Sequence, residues 1–103
     1  MNHFTDKGGF DAIKAASPWH FRASQPPGNH PFGAYFTTVT AHTPNLAKRL
    51  GIPKWKLEYL FSFDDLGDLI PLPGGRGEWI FYSPQDYYVV GERQGYHGKA
   101  DES

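Results

Sequence analysis

Apolar and polar positions alternate with different periods along the chain, and the changes of period mark its elements. Asn2 to Thr5 reads as a short extended segment. In "DKGGFDAIKAA", Phe10, Ile13 and Ala16 fall at helical spacing, which predicts a short helix with one buried face. Asp6 or Thr5 is positioned to cap it, and Gly8 and Gly9 predict an irregular lead-in rather than regular helix. "SPWHFRASQPPGNHP" is rich in turn residues, with a short strand at Trp19–Arg22. "FGAYFTTVT" is dominated by aromatic and β-branched residues and predicts a strand. "TPNLAKRLG" carries helix punctuation: Thr43 at the N-cap, Pro44 as first helical residue, Gly51 just past the end. In "WKLEYLFSF", Trp55, Leu57, Tyr59, Phe61 and Phe63 alternate with Lys56, Glu58 and Ser62, the period of a half-buried strand. "DDLGDLIPLPGGRG" then reads as a long loop. "EWIFYS" and "YYVVGE" predict two further strands separated at Pro84, and "GYHGKADES" reads as a disordered or solvent-exposed tail. Strands outnumber helices, so the expected class is α+β: a twisted sheet with two small helices.

Composition narrows this picture. With 103 residues the chain is expected to form one domain with one small core. Apolar residues make up only 39%, while aromatics reach 17% and there are 12 Gly and 9 Pro, so the core is expected to be built from rings with many turns around it. Ten basic against 11 acidic side chains give a net charge of −1, which removes bulk electrostatic attraction to nucleic acid. The absence of cysteine excludes disulfides, thiol chemistry and cysteine-based zinc sites. No apolar run approaches the roughly 18 residues of a membrane span, and the polar N-terminus lacks a secretory-signal pattern. A cytosolic protein, or a domain delivered by a larger chain, is expected.

Three stretches carry candidate chemistry. "HFT" places His3 beside Thr5, "FGAYFT" places Tyr35 in a strand, and "SPQDYYVV" places Asp86 just before a strand. Taken singly they are ordinary: a terminal histidine, a core tyrosine, a turn aspartate bonding its own backbone. Their order and setting together resemble the ADP-ribosyltransferase superfamily, in the branch with an H-Y-D signature. That superfamily has a His on the first strand, a Tyr on the next, and an acidic residue at the start of a late strand. The likeness runs from Asn2 to about Arg93 and includes "HFTDKGG", "FGAYFTT", "LGIPKWKLEYLF" and "IPLPGGRGEWIF".

The resemblance implies an ADP-ribosyltransferase-like fold, with small antiparallel-rich sheets and two short helices around an NAD cleft. It implies a catalytic domain over residues 1–94 and a flexible tail over 95–103. Asp86 would stabilise the oxocarbenium-like state formed as the ribose–nicotinamide bond breaks, much as in glycoside hydrolysis. Tyr35 would stack on the nicotinamide ring, which is cationic while attached. His3 would hydrogen-bond the adenosine-side ribose, and the Phe4 backbone with the Thr5 hydroxyl would hold the carboxamide. Some relatives carry a second aromatic about eleven residues past the Tyr; Leu46 stands there, which leaves Phe36 or Trp19 as the expected second wall. Asp is one methylene shorter than the Glu of many relatives, and transfer and plain NAD hydrolysis both remain open. Members of the branch are small bacterial polymorphic-toxin domains. The implied setting is therefore an antibacterial effector delivered as the C-terminal part of a larger toxin, acting as a monomer in the target cytoplasm. Its implied partners are NAD, a macromolecular acceptor such as a translation protein or RNA, and a cognate immunity protein. A catalytically inactive module that only binds NAD or a partner is the reading from a different class.

Other candidates are weaker. Asp64, Asp65 and Asp68 read as a solvated acidic turn. "GGRG" at 74–77 reads first as a turn, with Arg76 as a cation for the NAD phosphates as the second reading. Lys48, Arg49, Lys54 and Lys56 read as a solvated face, with a target or phosphate contact as the alternative. His20, His30, His42 and His97 are scattered without metal-ligand spacing, so no metal is expected. A glycine-rich dinucleotide loop before a helix is absent, so NAD binding would not use a doubly wound fold.

Overall fold

The computed structural model describes residues 1–75 and 77–103. Among the described residues eight strands and two α-helices follow in the order β1 (Asn2–Thr5), α1 (Lys7–Lys14), β2 (Trp19–Phe21), β3 (Ala34–Thr37), α2 (Leu46–Leu50), β4 (Tyr59–Phe63), β5 (Ile70–Pro71), β6 (Ile80–Ser83), β7 (Tyr87–Val89) and β8 (Gln94–Lys99). Six strands form one antiparallel sheet in the order β5-β6-β3-β1-β4-β8, and β2 pairs with β7 in a separate antiparallel ribbon. The class is α+β, a mostly antiparallel sheet with two helices.

Each sheet face has its own cover, as strand alternation requires. Phe36, Phe61 and Phe63 face α1 and the ribbon, where Phe10, Ile13, Trp19, Phe21, Tyr87 and Val89 complete an aromatic core. Phe4 and Leu60 face the opposite way, under Leu46 and Leu50 of α2 and against Ala100. Helix α1 forms as expected around buried Phe10 and Ile13, with Asp6 as cap: its Oδ1 accepts from the Gly9 N–H at 2.8 Å.

Several expectations need correction. Gly8 and Gly9 lie inside the first turn of α1. A side chain at Gly9 has no room, since its Cβ would come within 2.1 Å of Thr5 Oγ1. Helix α2 starts at Leu46 with Asn45 as its N-cap in the left-handed region (φ 57°), a conformation Asn tolerates, so neither Thr43 nor Pro44 opens it. Alternation before Tyr59 does not become strand: Lys54–Leu57 is a 3₁₀ turn closed by Lys56 N–H on the Pro53 carbonyl, and Trp55 is exposed. The long loop contains β5, an edge strand that tolerates Pro71 because one side of an edge needs no ladder donor.

The tail is also structured. Residues 94–99 are β8, the edge strand beside β4, and the chain ends in a 3₁₀ turn at Ala100–Glu102. Its sequence alternates inward and outward, Gly98 takes a positive φ of 153°, and buried Ala100 donates to the Glu58 carbonyl at 2.8 Å. Glycines and charges had disguised a strand whose side chains need little burial.

Candidate functional site

Strand β1 is tied to both neighbours at Asn2. Its Nδ2 donates to the Val39 carbonyl at 2.9 Å, and its Oδ1 accepts from the Ser62 hydroxyl at 2.8 Å. Beyond that point the two neighbours behave differently. The ladder to β4 continues through His3↔Phe61, Phe4↔Leu60 and Thr5↔Tyr59, whereas pairing with β3 consists of Asn2↔Thr37 alone. The sheet is split between β1 and β3.

The hydrogen-bond phase of β1 determines what the split exposes. Met1 and Phe63 exchange both backbone bonds, at 2.9 and 3.0 Å. In an antiparallel ladder alternate residues aim their N–H and C=O at opposite neighbours. His3 and Thr5 therefore face β4 with their backbones, and Asn2 and Phe4 face β3. Asn2 meets Thr37, but Phe4 meets the split, so its N–H and C=O point side by side into the gap without a ladder partner among the described residues.

His3 crosses the same gap with its side chain. Its Nδ1 lies 2.8 Å from the Tyr35 carbonyl, and its ring packs edge-on to Phe21 at 5.0 Å and near Phe36 at 5.6 Å. A carbonyl only accepts, so Nδ1 carries the hydrogen. Burial pushes the imidazole pKa below its ordinary value, against the smaller opposing effect of the bond to Tyr35. The ring is thus neutral near pH 7, and Nε2 presents a lone pair with no protein partner among the described residues.

A cleft of about 460 Å³ opens along this split, within the roughly 300–1,000 Å³ of small-molecule sites. Phe4, His3 and Tyr35 line the sheet side, Ser24 to Pro27 and His30 form one rim, and Leu50 to Pro53 with Lys56 form another. The Tyr35 ring stacks on Tyr82 at 5.6 Å and 20°, and its hydroxyl donates to the Pro31 carbonyl. Burial, and then Tyr82, push the Tyr35 phenol pKa up, so it stays neutral. Gly33, just before β3, lies so close to β6 that a Cβ would meet the Ser83 carbonyl oxygen at 2.4 Å.

The structure brings His3, Phe4 and Tyr35 together and separates the other expected residues. Thr5 does not line the cleft: it stands at the end of β1, where its hydroxyl packs at Gly9 of α1. Phe36 touches the cleft, but its ring is buried among Phe21, Phe63 and Tyr87, and Trp19 is buried against Phe61, so neither is a free stacking wall. Arg76 lies outside the described residues. Of the basic cluster, Lys56 reaches the cleft.

Asp86 stands just before β7, on the ribbon, and is not itself a lining residue. Its Oδ1 accepts from the Ala23 N–H at 2.9 Å, next to the rim residue Ser24, and its Oδ2 lies 2.7 Å from His20 Nε2. The Ala23 N–H first, and then His20, hold its carboxyl pKa below the usual carboxylate range. His20 reads in the sequence as one of the scattered histidines. The signal that could have found it is strand pairing: setting "WHF" antiparallel to "YYV" puts His20 opposite Tyr88 and beside Asp86. No group of three or more metal-ligating side chains occurs among the described residues. No protein-family model matches the chain, and no curated protein or solved structure matches it.

Proposed function

We propose that this chain is an NAD-dependent ADP-ribosyltransferase with an ADP-ribosyltransferase-like fold, working as a toxin effector domain on an intracellular macromolecule. The observation that carries this reading is the split beside Phe4. A primary carboxamide has one acceptor and one donor edge on the same side, and the paired Phe4 N–H and C=O are their complement. Tyr35 on the adjacent strand supplies an aromatic surface for the attached, cationic nicotinamide. Neutral His3 offers Nε2 as an acceptor for a sugar hydroxyl.

In the proposed reaction the bond between ribose C1′ and the nicotinamide nitrogen breaks, and its electron pair leaves with nicotinamide. Positive charge grows on the ribose, and ionised Asp86 at the Ser24 rim stabilises it and accepts from the 2′-hydroxyl. The acceptor nucleophile then forms the new bond to C1′ and loses its proton. As nicotinamide becomes neutral its cation–π attraction to Tyr35 fades, which favours release.

Labelled NAD in a bacterial lysate, followed by separation of protein, RNA and small-molecule fractions, tests the reading. Nicotinamide release with label in the protein or RNA fraction is expected, and so is loss of both in Asp86→Ala. Release with no label on any macromolecule makes the protein an NAD glycohydrolase. No release, or an Asp86→Ala variant as active as wild type, removes the reading. Production of the wild-type chain in a host cell is expected to be lethal, with rescue by Asp86→Ala.

A further inference from the structure

The Asp86 carboxylate is fixed at both oxygens by groups far away in sequence. Ala23 N–H binds Oδ1, and His20, 66 residues distant, binds Oδ2. An ionised carboxylate only accepts, so His20 Nε2 carries the hydrogen and donates it. His20 is itself clamped. Its ring stacks on Tyr88 at 4.6 Å and 12°, and the two residues are cross-strand partners in the ribbon. Tyr88, His20 and Asp86 form a relay of contacts from the strand pair to the rim of the cleft.

We propose that His20 is a positioning residue for Asp86, holding the carboxylate at the Ser24 rim in the orientation that meets the nicotinamide-side ribose. This rests on the transferase reading. Each carboxylate oxygen has a second lone pair beyond the bond described, so Asp86 can still accept from a ribose hydroxyl. The short aspartate side chain cannot reach around an error in placement, which gives its rotamer unusual weight. Arg22 and Tyr88 are the other charged or polar side chains facing the pair.

Three variants decide the matter through NAD turnover. His20→Ala is expected to lower kcat about 10²-fold, the scale of a misplaced reacting group, with KM for NAD little changed. His20→Gln keeps an amide donor where Nε2 stands and is expected to retain kcat near the wild-type value. If Asp86→Ala is inactive while His20→Ala keeps wild-type kcat, or while His20→Gln falls as far as His20→Ala, His20 does not position Asp86 and the transferase reading stands. If wild type releases no nicotinamide, or Asp86→Ala matches wild type, the transferase reading falls and the role of His20 falls with it. Should His20→Ala fail to fold, His20→Leu, which keeps bulk against Tyr88 without a donor, takes its place in the comparison.

Discussion

At the scale of single residues, the site depends on which way β1 points each of its groups. Phe4 enters it through its backbone, so a substrate change tests it more cleanly than a mutation of a core side chain. Nicotinic acid adenine dinucleotide replaces the carboxamide by a carboxylate, which has no N–H for the Phe4 carbonyl and repels it. Sites built to bond a polar group reject analogues lacking it strongly, so kcat/KM is expected to fall roughly 10²–10⁴-fold, measured as ring release from the two dinucleotides. Equal turnover would detach Phe4 from recognition. His3 makes a second prediction, through stability. Burial lowers its folded pKa, while the unfolded value is roughly 6.5. Below that value the unfolded chain takes up a proton that the folded chain resists, so stability should fall as pH drops from 7 and level off once the folded pKa is passed. His3→Asn keeps a donor for the Tyr35 carbonyl without titrating, and its urea midpoint should be flatter from pH 7 to 5. This window lies above the carboxylate range in which Asp86 protonates. His3 and Tyr35, singled out by residue type and order, lie close together because the strands carrying them are neighbours. Thr5 lies outside the cleft because the start of α1 takes up its hydroxyl, a contact local pattern does not show, and the partner of His20 is 66 residues distant.

At the scale of elements, the junction of β1 and α1 is the most constrained local feature. Gly8 and Gly9 both occupy helix, where Gly costs about 1 kcal/mol relative to Ala, so propensity alone would favour replacing either. Space separates them. A Cβ at Gly8 comes no closer than 3.8 Å to Asp6, whereas one at Gly9 strikes Thr5 Oγ1 at 2.1 Å with Thr5 Cβ at 3.4 Å. Gly8→Ala should stabilise the protein by about 0.5–1 kcal/mol. Gly9→Ala should destabilise it by about 1–3 kcal/mol, the cost of overpacking, and adding Thr5→Ala should recover most of that loss. Denaturant unfolding of wild type, Gly8→Ala, Gly9→Ala, Thr5→Ala and the Thr5→Ala/Gly9→Ala double variant checks the sign and the coupling. Element type was legible wherever period and punctuation agreed, as in α1, β3, β6 and β7. It failed where tertiary contacts overrode local pattern. The alternation through Trp55 lies on a 3₁₀ turn, and β5 and β8 are edge strands whose exposed residues leave little hydrophobic signal.

At the scale of the whole molecule, both chain ends are built into the sheet, so neither can be trimmed as an accessory. Strand β1 lies between β3 and β4, and β8 closes the edge beside β4. Local sequence could not disclose this, because β1 finds its partners at Thr37 and at 59–62 and contributes no pairing with its immediate successor. Removing Met1 to Thr5 would abolish the proposed NAD turnover through the fold as well as through the loss of His3 and Phe4. It takes away buried Phe4, worth about 3–5 kcal/mol as a core Phe, and parts β3 from β4. Against a total stability of about 5–15 kcal/mol, no cooperative unfolding transition should remain. Trimming after Gln94 removes the rest of β8, the His97 ring near Phe10 and Trp19, and buried Ala100. At roughly 1 kcal/mol per lost backbone bond, that truncation should cost about 4–6 kcal/mol and leave the domain marginal or unfolded. Circular dichroism and urea unfolding of the two truncations decide between this sheet and a catalytic body ending near residue 94. A fragment 1–94 with wild-type midpoint would make β8 dispensable. A fragment that unfolds would mean that the strand beside β4 supports the face on which Phe61, His3 and the split between β1 and β3 are organised.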